Sequence, residues 1–272
     1  MAASEGVDLE WAIVDMIKCQ NNQQKKFTKN YSPKIMAQAK DCVAGVRKFA
    51  GRKNILAWHS DDASNPFGVA ISAKPEPKTD IVFKIGTKIY SVSVKMAGAV
   101  QLASGQGKST AELFEAAADC CVNATKSRVL KSIVKELRTM PTRLLSEANK
   151  KRITTQASDK VIKEFIKGGK IIKDKSYDYW LSNNKEMLME SLLKFIESDP
   201  EYTHALLFES MTGKLSLSKY KGAVADSIIS PKGFYLIDKA YVNQVKSKVK
   251  FDIRGKSRSG ITGLAFRIDM RP

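Results

Sequence analysis

Histidine and cysteine are scarce in this chain, and neither is spaced for metal chemistry. The 272 residues include two histidines, His59 and His204, and four cysteines, Cys19, Cys42, Cys120 and Cys121. No Cys-x-x-Cys pair occurs and neither histidine lies near a cysteine pair, so a tetrahedral zinc site is not expected. Adjacent Cys120 and Cys121 read as reduced thiols on an apolar helix. No run of about 18 apolar residues occurs, which argues against a membrane-spanning helix. The amino terminus lacks the basic region and apolar stretch of a secretory signal. A reducing, non-secreted, cytoplasmic setting is the expectation. A serine hydrolase is unsupported, because Gly-x-Ser-x-Gly is missing and the two histidines have no marked setting. No repeat or low-complexity segment is found.

Acidic residues are also in short supply. Asp and Glu number 28 against 46 Lys and Arg, giving a net charge of +18 and a pI near 9.7. A chain this basic usually meets a polyanion, and nucleic acid is the first candidate. The alternatives are a basic surface kept for solubility or one that meets an acidic protein. Hydrophobic residues make up 43% of the chain, enough for a packed core in one large domain or two small ones.

What is present centres on Pro77-Lys78-Thr79-Asp80 and Ser91-Val92-Ser93-Val94-Lys95. Ile81-Val82-Phe83 and Ile89-Tyr90-Ser91-Val92 read as strands, with the turn in Ile85-Gly86-Thr87-Lys88. With Gly86 and Thr87 as a two-residue loop, Asp80 faces Ser93, and Lys95 shares the face of Ser93. A carboxylate, a hydroxyl and an ammonium then stand together. Asp80 can hold a divalent cation, and Lys95 can orient a water or neutralise a phosphate. A one-residue slip would undo the grouping.

These residues resemble the core motif of the PD-(D/E)XK nuclease superfamily, which has the restriction-endonuclease-like fold. Thr79-Asp80 matches its Pro-Asp element, and Ser93-Val94-Lys95 matches its (Asp/Glu)-x-Lys. The resemblance covers roughly the first 130 residues. It implies a further acidic residue on the first helix, which Glu10 fits, and a glutamine after the lysine, matched by Gln101 or Gln106. Thr79 replaces the proline, a minor departure. Ser93 replaces a carboxylate, a serious one. In some enzymes of this fold a Ser-x-Lys takes the missing carboxylate from the following helix, where Glu112 and Glu115 stand here. The other possibility is a degenerate site.

Residues 7–18 read as a largely buried helix, on which Glu10 needs a partner or a metal. The alternative is that Glu10 lies near the amino end and favours the helix dipole. Residues 21–30 read as a polar loop, 33–49 as a second helix, 55–58 as a strand, 61–68 as turns and 69–71 as a strand. His59, Asp61 and Asp62 fit a turn better than a metal site. Residues 110–165 read as helical and basic on one face, where Arg128 and Lys131 could meet phosphates. Residues 185–197 read as an amphipathic helix. Residues 204–208 read as a strand ending at Glu209, a further candidate carboxylate or an ordinary edge residue. Residues 211–214 read as a turn. The stretches 223–229, 234–237, 248–253 and 264–268 look like β elements. The loop 254–260, with Arg254, Lys256 and Arg258, could bring cations and backbone amides to phosphates or be a flexible hairpin tip. Gly105-Gln106-Gly107-Lys108-Ser109-Thr110 imitates a phosphate loop, but Leu102 stands where that pattern requires glycine. The segment, read as a loop, still carries Lys108 at a helix opening.

The expectation is an α/β chain with a restriction-endonuclease-like mixed sheet flanked by helices, a helical middle and a β-rich carboxyl-terminal part. Its ranges are a core over 1–130, a basic helical region over 131–200 and a β-rich region over 201–272, the last possibly continuous with the core. The resemblance implies a Mg²⁺- or Mn²⁺-dependent DNA endonuclease. Asp80 and Glu10 would be metal ligands, helped by Glu112 or Glu115, and Lys95, Ser93 and Gln101 would complete the site. Double-stranded DNA is the expected partner. Cutting both strands calls for a homodimer or two successive nicks. The rivals are an inactive nuclease fold that binds DNA or RNA, and a basic structural or assembly protein.

Overall fold

The computed structural model describes residues 2–71, 78–98, 100–135, 138, 166–167, 170–171, 190–215, 223–255 and 264–270. The chain divides into two compact units. One is built chiefly from Met1–Val100 and Met211–Lys248, the other from Gln101–Ser210 and Val249–Met270.

The first unit opens with α1 (Ala2–Gln20) and α2 (Pro33–Ala50), followed by β1 (Ile55–His59), β2 (Ile81–Ile85) and β3 (Lys88–Val94). The second unit takes over with β4 (Val100–Gln106), α3 (Gly107–Asp119), α4 (Val122–Lys126) and α5 (128–135). It continues through the short β5 (Ile166–Lys167) and β6 (Lys170–Ile171), then α6 (190–198) and α7 (Pro200–Thr212). The chain returns to the first unit as β7 (Ser227–Ser230), β8 (Gly233–Leu236) and α8 (Lys239–Lys246). It ends in the second unit with β9 (Val249–Gly255) and β10 (Leu264–Met270).

The first unit is a five-stranded mixed sheet in the order β1-β2-β3-β7-β8. β7 runs parallel to β3, and the other neighbours are antiparallel. Strand alternation sends Ile81, Phe83, Ile85 and Val92 into one core with Leu9, Ile13 and Ile17 of α1 and Ile35, Val43 and Val46 of α2. Each such side chain contributes about 1.5–3 kcal/mol on burial. Val82 turns the other way and joins Ile71, Ala223 and Trp58. α2 lies very close to the β7–β8 hairpin. A Cβ on Gly45 would come within 2.8 Å of the Gly233 Cα, and Gly233 itself has φ +143°.

α1 carries one fully engaged buried carboxylate. Asp15 accepts from Gln24 Nε2 at 3.0 Å, from the Thr28 N–H and Oγ1 at 2.7 Å each and from the Tyr31 hydroxyl at 2.7 Å. The polar stretch after α1 is therefore folded back onto the helix. Burial pushes Asp15 up, but these donors outweigh it and hold the carboxyl below its ordinary value.

In the second unit β4, β10 and β9 form a three-stranded sheet in that order. β9 and β10 pair antiparallel from Leu264↔Gly255 to Met270↔Val249.

Several expectations are corrected. Residues 204–208 lie in α7, a helix started by Asp199, which accepts from the Tyr202 N–H at 2.9 Å, and by Pro200 at its first position. Residues 69–71 form no strand. Asn65 donates to the carbonyls of Asp62 and Val69 at 2.7 Å each, and Ile71 N–H donates to Ser60 O at 2.7 Å, which holds the segment as a loop. Residues 223–225 precede β7 and lie outside it. The stretch before Gly107, read as a loop, is β4, and α3 starts directly from it. Cys120 and Cys121 lie between α3 and α4, the first exposed and the second buried. α8 was not anticipated. Asp238 caps it by accepting from the Tyr241 N–H at 2.8 Å, and Tyr241, Val242 and Val245 are its buried residues.

Candidate functional site

The β2–β3 hairpin has the expected register. Ile81 pairs with Val92 and Ile85 with Lys88, leaving Gly86 and Thr87 as the two loop residues. Gly86 has φ +61°, which suits the first loop position of such a turn. Asp80 immediately precedes β2 and is held from both sides. Its N–H donates to Val92 O at 2.9 Å, and the preceding Thr79 Oγ1 donates to Val224 O at 2.7 Å.

The Asp80 carboxylate meets β3 through one oxygen. Oδ2 accepts from Ser93 Oγ at 3.1 Å and from the Val94 N–H at 2.7 Å. These bonds orient the group and leave Oδ1 to other partners. Lys95 follows directly, its N–H donating to Ile229 O at 2.8 Å, which ties it to β7. Burial raises the Asp80 carboxyl above its ordinary value, against the charge of Lys95, the Val94 and Ser93 donors and His59.

Glu10 joins this group from α1. α1 begins at Ala2, so Glu10 lies in the helix interior and the dipole alternative falls. Its Oε2 lies 3.1 Å from His59 Nε2, and its side chain is 16% exposed. Burial raises the Glu10 carboxyl and Asp80 adds to the rise, while the His59 hydrogen bond and the charges of His59 and Lys95 oppose it. Glu10, His59, Asp80 and Lys95 thus share one electrostatic environment.

His59, expected in a turn, joins this group from β1. It ends β1, is 3% exposed, and stacks on Trp11 with ring centroids 4.1 Å apart and planes 9° apart. The Asp61 N–H donates to its Nδ1 at 3.1 Å. An accepting Nδ1 is the tautomer that puts the ring proton on Nε2, facing Glu10. Asp62 caps a turn by accepting from the Ser64 N–H at 2.8 Å.

The remaining candidates belong to the second unit. Glu112 and Glu115 lie on α3, and Glu115 pairs with Arg138. Arg128 and Lys131 are exposed on α5. Gln101 and Gln106 lie in β4 and Lys108 in the first turn of α3, placed here by their backbone. Arg254 belongs to β9 opposite Ala265, one residue before the strand ends, so it is a strand residue and not the first of a loop. Lys256 and Arg258 lie outside the described residues. Glu209 is fully buried in α7. A cleft of about 390 Å³ in this unit is lined by Glu115, Lys131, Lys135 and Arg138 over apolar Leu130 and Val134.

Among the described residues, no three His, Cys, Asp or Glu side chains converge closely enough to hold a metal ion by themselves. The hard oxygens of Asp80 and Glu10 nevertheless suit Mg²⁺ or Mn²⁺, since Mg²⁺ is often held by one or two carboxylates with water and substrate phosphates. Among the described residues, no helix is long and apolar enough to cross a membrane.

No protein-family model, curated protein or solved structure matches this chain.

Proposed function

We propose that this chain is a metal-dependent nuclease that hydrolyses phosphodiester bonds in DNA, with a restriction-endonuclease-like first unit. The observation that carries the reading is the Asp80 carboxylate, pinned by Ser93 and Val94 through Oδ2 and sharing its surroundings with Glu10 and Lys95. A buried carboxyl beside a second carboxylate and a lysine is a candidate functional arrangement.

Asp80 and Glu10 are the residues that would hold Mg²⁺ or Mn²⁺. When bound, such an ion lowers the pKa of an attacking water and offsets charge on the phosphate. Lys95 supplies a fixed positive charge where charge develops on the phosphate, or orients the water. Ser93 keeps Asp80 in place. Arg128 and Lys131, exposed on α5, are proposed phosphate contacts, with Lys108, Arg254, Lys256 and Arg258 as further candidates, while Gln101 is the proposed glutamine of the catalytic set. Double-stranded DNA in a reducing, cytoplasmic setting is the proposed substrate, cut by a dimer or in two nicks.

One observation favours a second reading, nucleic-acid binding without cleavage. Ser93 stands where the resemblance expects a carboxylate, and its hydroxyl donates to Asp80. The test is incubation of the pure protein with supercoiled plasmid and with single-stranded DNA in Mg²⁺, Mn²⁺ or EDTA, beside Asp80→Ala and Lys95→Ala. The nuclease reading expects cation-dependent cleavage that each variant reduces by about 10²-fold or more. Tight, salt-sensitive binding with no cleavage by any of the three would favour the second reading.

A further inference from the structure

We infer that His59 is a positioning residue for Glu10, holding that carboxylate ready for the cation; the inference rests on the nuclease reading. The ring is restrained three ways. Trp11 stacks on its face, the Asp61 N–H donates to Nδ1, and Nε2 lies 3.1 Å from Glu10 Oε2. Asp61 Oδ2 also lies 3.3 Å from Nδ1. Trp11 and Glu10 are consecutive in α1, so one helical turn supplies both the surface that fixes the ring and the carboxylate that the ring fixes.

A glutamate has three side-chain torsions and is poorly placed by its backbone alone. A buried ring held by the Trp11 stack and by the Asp61 contacts at Nδ1 removes that freedom. Because the bond goes to Oε2, Oε1 keeps its lone pairs for another partner. The arrangement parallels Asp80, where Ser93 and Val94 engage Oδ2 and leave Oδ1. Each carboxylate of the site is thus hydrogen-bonded through one oxygen. A histidine that merely filled core space would not need its N–H aimed at a partly buried carboxylate.

The test is calorimetric titration of Mn²⁺ into the full chain, for wild type, Asp80→Asn, Glu10→Gln, His59→Phe and His59→Gln, with circular dichroism and thermal unfolding of each. His59→Phe keeps a ring against Trp11 but loses the donor. It should weaken Mn²⁺ binding about 10- to 100-fold. His59→Gln restores an N–H donor and should recover part of that loss. In a Glu10→Gln background, His59→Phe should add little, because it acts through Glu10. Should His59→Phe not fold, His59→Gln against His59→Met, with and without the donor, reads the same difference.

The inference alone is overturned if wild type binds Mn²⁺, Asp80→Asn loses it, and His59→Phe binds as wild type does. It is also overturned if the His59 and Glu10 effects simply add. Should wild type and Asp80→Asn both fail to bind Mn²⁺, the nuclease reading falls and takes this inference with it.

Discussion

Three carboxylates of the first unit are treated in opposite ways. Asp15 is surrounded by donors and held below the ordinary carboxylate range, whereas Asp80 and Glu10 are pushed above it by burial. Asp15 therefore stabilises the fold above the unfolded carboxyl value, about pH 4, and that contribution is lost as pH falls towards its lowered pKa. Asp15→Ala should cost about 2–3 kcal/mol at neutral pH, measured by urea unfolding, and the gap from wild type should close in acid. For Asp80 the sign reverses. Folding favours its protonated form, so its contribution is present at low pH and lost as pH rises through the raised pKa. Asp80→Asn should raise the Tm of the metal-free protein at about pH 7.5, by roughly 2–4 °C per kcal/mol recovered, and the gain should vanish near pH 4. An unchanged or lowered Tm at neutral pH would count against a strained Asp80. The Asp80–Ser93 contact was legible in the sequence because a two-residue turn fixes the register of a hairpin. The His59–Glu10 contact was not, because those residues lie 49 positions apart and meet only when α1 packs on β1.

At the scale of elements, local signals and tertiary packing divided the outcome. α1, α2, β1 and the β2–β3 hairpin were readable because periodicity and a turn glycine act within a few residues. The α7 segment His204-Ala205-Leu206-Leu207-Phe208 is an apolar run whose type periodicity cannot decide. Asp199-Pro200 was the available signal, since a capping aspartate before a proline starts helices as readily as the proline ends the preceding one. α8 carried a similar cap in Asp238. The closeness of α2 to the β7–β8 hairpin was invisible, because nothing near Gly45 in sequence shows that Gly233 will lie against it. Gly45→Ala should overpack that contact and cost about 1–3 kcal/mol, seen as a lower urea midpoint with an unchanged slope. A neutral effect would show that the helix can move off the hairpin freely.

For the whole molecule, net charge was readable and the discontinuous units were not. Residues 211–248 return to complete the sheet begun by β1–β3, and composition gives no sign of that return. The charge of +18 carries a consequence for any polyanion partner. Duplex binding followed by fluorescence anisotropy should weaken steeply between about 50 and 200 mM salt, by roughly 10³-fold or more if six phosphates are engaged. A flat salt response would point away from nucleic acid and towards an acidic protein partner. The proposed chemistry is tested by the initial rate of plasmid nicking by wild type and Lys95→Ala, in Mg²⁺ and in EDTA. Wild type should nick in Mg²⁺ and not in EDTA, and the variant should lose about 10²-fold or more. Equal rates for the two proteins, or nicking that persists in EDTA, would contradict that chemistry.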